Sequence, residues 1–184
     1  MGSAAIQSRG ATNQNKENLM NQHNAQKLFK SFPRLYRGDG QEKRNAFMHW
    51  GFQCGDGWFR LIYDLSSAIE REARKMGIDP DSENWPRARQ VKEKFGTLRY
   101  YIFTPGPTED DINSLIAEHK NGVISFRPVS SINSIRNLVE AAESQSEHIC
   151  ETCGLAGTLR TDGWWKVSCT PCDEKRRAEH AIPD

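Results

Sequence analysis

The sequence predicts an α+β protein, a small helix and β-ribbon domain followed by a compact module built on cysteines. Three observations carry that prediction. Residues 58–69 place apolar side chains at helical spacing, residues 90–103 read as a hairpin, and four cysteines fall into two C-x2-C pairs near the C-terminus.

The chain has 184 residues, of which 36% are hydrophobic and 27% charged, with a net charge of +1. That length suits one ordinary domain plus a small appendage. The low apolar fraction implies an unpacked part. Asn13, Asn15, Asn18, Asn21 and Asn24, with several glutamines and few large apolar residues, assign it to the N-terminus. Such a stretch buries too little surface to offset the entropy of ordering it. The expected organisation is a flexible Asn/Gln-rich tail at 1–30, an α+β domain at 31–147 and the cysteine module at 148–184. A net charge near zero excludes bulk attraction to nucleic acid or an anionic membrane, so polyanion binding would need a local patch. No run approaches the roughly 18 apolar residues of a membrane span. The N-terminus lacks the apolar centre of a signal peptide. With an odd number of cysteines, five, a reducing cytoplasm is the expected compartment.

Phe32 to Tyr36, interrupted by Pro33, reads as an extended segment opening the globular part. Asp56 is placed as the N-cap of the following helix. Trp58, Leu61, Ile62, Leu65 and Ile69 then form one apolar helical face, and Gly77 is a C-terminal cap. In the ribbon from Gln90 to Phe103, a two-residue turn at Gly96-Thr97 would pair Phe95 with Leu98, Glu93 with Tyr100 and Val91 with Ile102. Those six residues would share the inner face, with Glu93 needing a Lys or Arg partner or the Tyr100 hydroxyl. Lys92, Lys94, Arg99 and Tyr101 would share the outer face. Thr108 to Asn121 reads as a helix and Val123 to Val129 as a short extended insertion. A second helix, about Ser131 to Ser146, turns Ile132, Ile135, Leu138, Val139 and Ala142 inward.

Fifteen residues separate Cys150-x2-Cys153 from Cys169-x2-Cys172. Each pair aims two sulfurs at one point, and this separation falls in the window of tetrahedral zinc sites. Two disulfides between adjacent pairs would be strained. Cys153-Gly154 resembles a zinc knuckle, Leu159 to Val167 a hairpin around Asp162-Gly163, and the residues after Cys172 a helix. That order is a treble clef; a zinc ribbon would need a strand in place of the helix. Four thiolates complete the coordination of Zn²⁺, so the predicted cofactor is structural, and His148 and His180 are superfluous as ligands.

Two surfaces are candidates for binding. Lys92, Lys94, Arg99 and Tyr101 lie in a ribbon where residues 87–99 carry five basic residues against one acidic. A cationic ribbon bearing an aromatic suits a phosphate backbone, although lysines also protect sheet edges. Trp164 and Trp165 suit a partner protein. Cys54, beside Gly55 and Asp56 before a helix, is a candidate nucleophile, because a helix N-terminus lowers a thiol pKa; the favoured reading is a small buried thiol. No phosphate-binding glycine loop, zinc-protease or serine-hydrolase motif is evident, and no catalytic set is assigned.

The runs Gly51-Phe52-Gln53-Cys54-Gly55-Asp56-Gly57-Trp58, Gln90-Val91-Lys92-Glu93-Lys94-Phe95-Gly96-Thr97-Leu98-Arg99-Tyr100-Tyr101 and Cys150-Glu151-Thr152-Cys153-Gly154 resemble, in that order, a largely uncharacterised family of small bacteriophage and prophage proteins. The resemblance covers roughly Phe32 to Cys172. It implies a phage setting, hence a host cytoplasm, and a C-terminal zinc knuckle; it implies no reaction. The expected function is non-enzymatic: an accessory protein binding a host or phage macromolecule, by analogy modulating host machinery or defence. The alternatives are a nucleic-acid binder using the ribbon and an enzyme using Cys54.

Overall fold

The computed structural model describes residues 19–37, 51–104, 130–163 and 165–180. The first eighteen residues of the expected tail, the expected helix at 108–121 and the insertion at 123–129 lie outside them. The described elements are helix α1 (Gln22–Ser31), strand β1 (Phe52–Gln53), a 3-10 turn (Asp56–Trp58), helix α2 (Phe59–Lys75), strands β2 (Arg87–Lys94) and β3 (Thr97–Phe103), helix α3 (Ser130–Ser146), strands β4 (Thr158–Arg160) and β5 (Lys166–Ser168), and helix α4 (Thr170–His180). The fold is α+β, as the sequence predicts.

Helix α2 forms as its periodicity requires, with Trp58, Leu61, Ile62, Leu65 and Ile69 all buried. It ends in a Schellman motif. Gly77 has φ +72°, its N–H donates to the Arg74 carbonyl, and the Ile78 N–H donates to that of Ala73. β2 is the centre of a three-stranded sheet, parallel to β1 and antiparallel to β3. Phe52, Val91, Leu98 and Tyr100 face α2 and α3 across the core, which Ile135, Val139 and Ala142 complete. The β3 edge is covered by α3. The Leu98 N–H donates to the Ser146 hydroxyl and that of Tyr100 to the Glu143 carboxylate, both at 2.9 Å, so the edge strand has partners for these backbone groups.

Three expectations are corrected. Residues 22–31, within the expected tail, are helix α1. The Asn21 side chain caps it by accepting the Asn24 N–H at 2.9 Å, and Met20 and Leu28 are buried in the core. The asparagines assigned to the flexible tail therefore include a helix cap. Phe32 to Tyr36 is a turn rather than an extended segment. Its Phe32, Leu35 and Tyr36 side chains are buried, and the Leu35 carbonyl accepts the Ala88 N–H at 2.8 Å. The ribbon turn is Phe95-Gly96, not Gly96-Thr97: Lys94 pairs with Thr97, Glu93 with Leu98 and Val91 with Tyr100. Phe95 (φ 56°) and Gly96 (φ 78°) give it type I′ geometry. Because the pairing moves without changing parity, Val91, Glu93, Leu98 and Tyr100 stay on the inner face. Lys92, Lys94, Arg99 and Tyr101 stay on the outer one, and only Phe95 leaves, becoming 64% exposed. The Glu93 carboxylate also accepts the Gly96 N–H of the turn at 2.6 Å.

Candidate metal centre

The module after α3 is a knuckle, a hairpin and a helix. Residues 150–154 form the knuckle, with the Gly154 N–H on the Cys150 carbonyl at 2.8 Å and Gly154 at φ +79°. β4 and β5 pair in register as a hairpin, Leu159 opposite Val167. α4 opens with Thr170-Pro171, proline being accepted where a helix N–H has no partner, and carries Cys172 in its first turn. A helix stands where a zinc ribbon would need a strand, so the order is that of a treble clef. Within α4 Asp173 accepts from Arg176 at 2.7 Å and Arg177 at 2.9 Å, and these guanidiniums hold its carboxyl below the usual carboxylate range; the hairpin meets α4 through Arg160, whose Nε lies 4.0 Å from Asp173, and through the Asp162–Arg177 pair.

The sulfurs of Cys150, Cys153, Cys169 and Cys172 all lie within 4.8 Å of one another, with Cys153 and Cys169 at 3.6 Å. Tetrahedral Zn–S bonds of about 2.3 Å would space sulfurs about 3.8 Å apart. The donor set therefore fits a soft divalent metal, and none of the five cysteines is in a disulfide. Burial pushes the Cys150 thiol up, but the N–H groups of Cys169, Cys153 and Thr152 outweigh it and bring it down to about 7. Cys172 is pushed up by burial and by hydrogen bonding with the neighbouring thiols. Four sulfurs this close repel one another as thiolates, so full ionisation calls for a cation. His148 is exposed and the four sulfurs leave it no ligand role; the His180 side chain lies outside the described residues.

No protein-family model, curated protein or solved structure matches the chain. Among the described residues no helix is long and apolar enough to cross a membrane.

The knuckle does not stand apart at residue 148. It interlocks with the 51–58 motif. The Glu151 side chain, 1% exposed, accepts the Gly55 N–H at 2.8 Å and faces Lys166 Nζ at 3.5 Å. The Glu151 carbonyl accepts the Gly57 N–H at 2.8 Å, and Trp58 Nε1 donates to the Ile149 carbonyl at 2.9 Å. Burial raises the Glu151 pKa, opposed by Lys166 and by the Gly55 N–H. Both glycines are required by proximity. A Cβ on Gly55 would sit 2.4 Å from the Glu151 carbonyl oxygen, and one on Gly57 2.1 Å from that of Cys150. Sequence reasoning did not assign Glu151, Gly55 or Gly57 to the site; the only local signal was the pair of glycines flanking Asp56.

Asp56 does not cap its own helix as expected. Its Oδ1 accepts from the Asn21 N–H and from Asn24 Nδ2, both at 2.9 Å, placing a carboxylate at the N-terminus of α1. Cys54 is 0% exposed, and burial, with the Glu151, Asp56 and Glu93 carboxylates, drives its thiol pKa well up. That is the reverse of an activated nucleophile, and the Cys54 enzyme reading is corrected to a buried structural thiol.

The two binding candidates stand side by side. On the outer sheet face, Lys92 Nζ lies 5.4 Å from the Tyr101 ring centre, and Tyr101 is 47% exposed. Arg99 is 3.7 Å from Glu143. At the ribbon tip, Lys94 Nζ is 5.2 Å from the Phe95 ring centre, and Phe95 meets Trp165 edge-on at 6.2 Å. Trp165 is 48% exposed; Trp164 lies outside the described residues. Leu159 packs on the same turn, where a Cβ on Gly96 would be 2.4 Å from its Cδ1.

Proposed function

We propose that the protein is a non-enzymatic phage or prophage accessory protein, stabilised by zinc at Cys150, Cys153, Cys169 and Cys172, that binds a host or phage protein through the surface around Phe95, Leu159 and Trp165. By analogy with the family it resembles, the partner belongs to host machinery or defence. Zinc is favoured by an all-thiolate tetrahedral donor set, and closed coordination leaves no position for a reacting water.

The observation that carries the binding reading is Phe95. It is the one non-glycine with positive φ among the described residues, a conformation costing roughly 1–2 kcal/mol for an L-residue. The cost holds a ring 64% exposed beside an exposed tryptophan, not one packed in the core. Strain of this kind, over-determined by its surroundings, gathers at binding sites, and exposed aromatics form the energetic centres of protein interfaces. An adjacent groove of about 420 Å³, lined by Gly96, Thr97, Glu147, His148, Thr158, Leu159 and Val167, offers a seat for a partner's apolar side chain.

The nucleic-acid reading is favoured by one observation, the cation and aromatic face of Lys92, Lys94, Arg99 and Tyr101. One experiment compares the two. Tagged parent, Phe95→Ala/Trp165→Ala and Lys92→Glu/Lys94→Glu proteins are used to capture partners from infected cells, and the same proteins are titrated with a single-stranded oligonucleotide at several salt concentrations. The expected result is a specific protein lost with the aromatic pair and kept by the charge variant. Tight oligonucleotide binding that weakens steeply with salt and disappears in the charge variant would replace the protein reading with the nucleic-acid one.

A further inference from the structure

The metal site and the N-terminal helix lie at opposite ends of the sequence, yet a short chain of contacts joins them. Cys150 and Cys153 shape the knuckle. Between them Glu151 takes the Gly55 N–H on its carboxylate and the Gly57 N–H on its carbonyl. Between those glycines Asp56 takes the Asn21 N–H and the Asn24 side-chain amide. The glycines leave no slack, since either Cβ would collide with the knuckle backbone. Asn21 in turn caps α1 through the Asn24 N–H.

We propose that metal occupancy is transmitted along this path, so that docking of α1 is metal-linked: loading the four cysteines orders the knuckle, the knuckle seats the 55–58 loop, and the loop presents Asp56 to the start of α1. The inference rests on the metal-site reading and is independent of the partner. Unpaired by metal, four crowded thiols have no common centre to close on, and the knuckle loses the geometry that aims its N–H and C=O groups. Beyond Trp58, the buried residues Leu61 to Ile69 of α2 are held by core packing, and β2 and β3 by their own pairing. Loss of metal is therefore expected to act locally, on low-stability units, before it acts globally.

Hydrogen exchange read by mass spectrometry on the full chain tests this, comparing zinc-loaded protein with protein stripped by a chelator, zinc content being measured on both. On stripping, segments 51–58 and 19–31 should exchange at least about tenfold faster, while 61–69 and 91–100 keep their protection. Asp56→Ala should bind zinc with parental stoichiometry yet exchange about fivefold faster across α1 with the metal in place, the effect of losing a cap-strength contact. A chain that takes up no zinc refutes the metal site and the linkage together. Zinc uptake with α1 protection unchanged by stripping refutes the linkage alone, as does uniform loss of protection throughout the chain.

Discussion

Gly57→Ala examines the interlock at its tightest point. The new Cβ would stand 2.1 Å from the Cys150 oxygen, 2.5 Å from the Gly154 nitrogen and 2.7 Å from the Glu151 carbonyl carbon, against 3.4–4 Å for ordinary contact. All three neighbours are backbone and cannot rotate away, so loop and knuckle must part by about 1 Å. That separation stretches the Gly57–Glu151 and Gly55–Glu151 hydrogen bonds, each 2.8 Å, and draws Trp58 Nε1 from the Ile149 carbonyl. Each lost bond is worth about 0.5–1.5 kcal/mol, and under-satisfying the buried carboxylate adds about 1–3 kcal/mol. The expected destabilisation is about 3–5 kcal/mol, a large share of a typical domain's stability. Urea unfolding followed by tryptophan fluorescence measures it, and competition with a chromogenic chelator measures the accompanying loss of zinc affinity. Gly77→Ala is the control. Gly77, unlike Gly57, sits at positive φ but has nothing within 4 Å, so its alanine should cost about 1 kcal/mol from backbone strain alone and leave zinc affinity unchanged. A Gly57→Ala protein within about 1 kcal/mol of the parent, binding zinc as tightly, would refute the interlock.

Protein purified without chelator should contain one zinc per chain by elemental analysis, and Cys169→Ser should lower that content sharply; a metal-free preparation with an ordered C-terminal module would contradict the site. Leu65→Ala, at a position 5% exposed, should cost about 2–5 kcal/mol in urea melts, and a variant as stable as the parent would contradict the α2 assignment. Burial holds the Tyr100 hydroxyl up to about 12, and Tyr36, which accepts its hydrogen bond at 3.3 Å, is raised as well. The unfolded chain releases tyrosine protons near pH 10, so above about pH 10 it binds fewer than the folded chain. Stability should be intact below that value and fall up to about pH 12. Tyr100→Phe should make the decline shallower when urea midpoints are compared at about pH 9 and about pH 11, and an unchanged slope would refute the assignment.

Elements governed by neighbours in sequence were legible from the chain. The buried face of α2 follows from apolar spacing, its end from Gly77, and the metal site from two C-x2-C turns, because a turn aims its own two sulfurs whatever surrounds it. The faces of the ribbon were also readable, since strand alternation survives a shift in pairing that preserves parity. The turn was not. Type II′ geometry at Gly96-Thr97 was locally sensible, but Leu159 occupies the space a Cβ on Gly96 would need, and the Glu93 carboxylate takes the Gly96 N–H. Phe95 was left to adopt the left-handed conformation.

Tertiary structure alone decided what the charged and glycine residues of the 51–58 motif do. Asp56 before a helix satisfies every local rule for an N-cap, yet its partners, Asn21 and Asn24, are 35 and 32 residues away. Gly55 and Gly57 are glycine because a backbone nearly a hundred residues later passes within contact of them, as the Gly55–Glu151 separation of 96 shows. Hydrophobic periodicity records which face of an element is buried, but not which hydrogen-bonding group will arrive from elsewhere to meet it. Spacing alone thus determined the helix, the ribbon faces and the sulfur cluster, while the docking of α1, the seating of Glu151 and the exposure of Phe95 were decided by packing between segments distant in the chain.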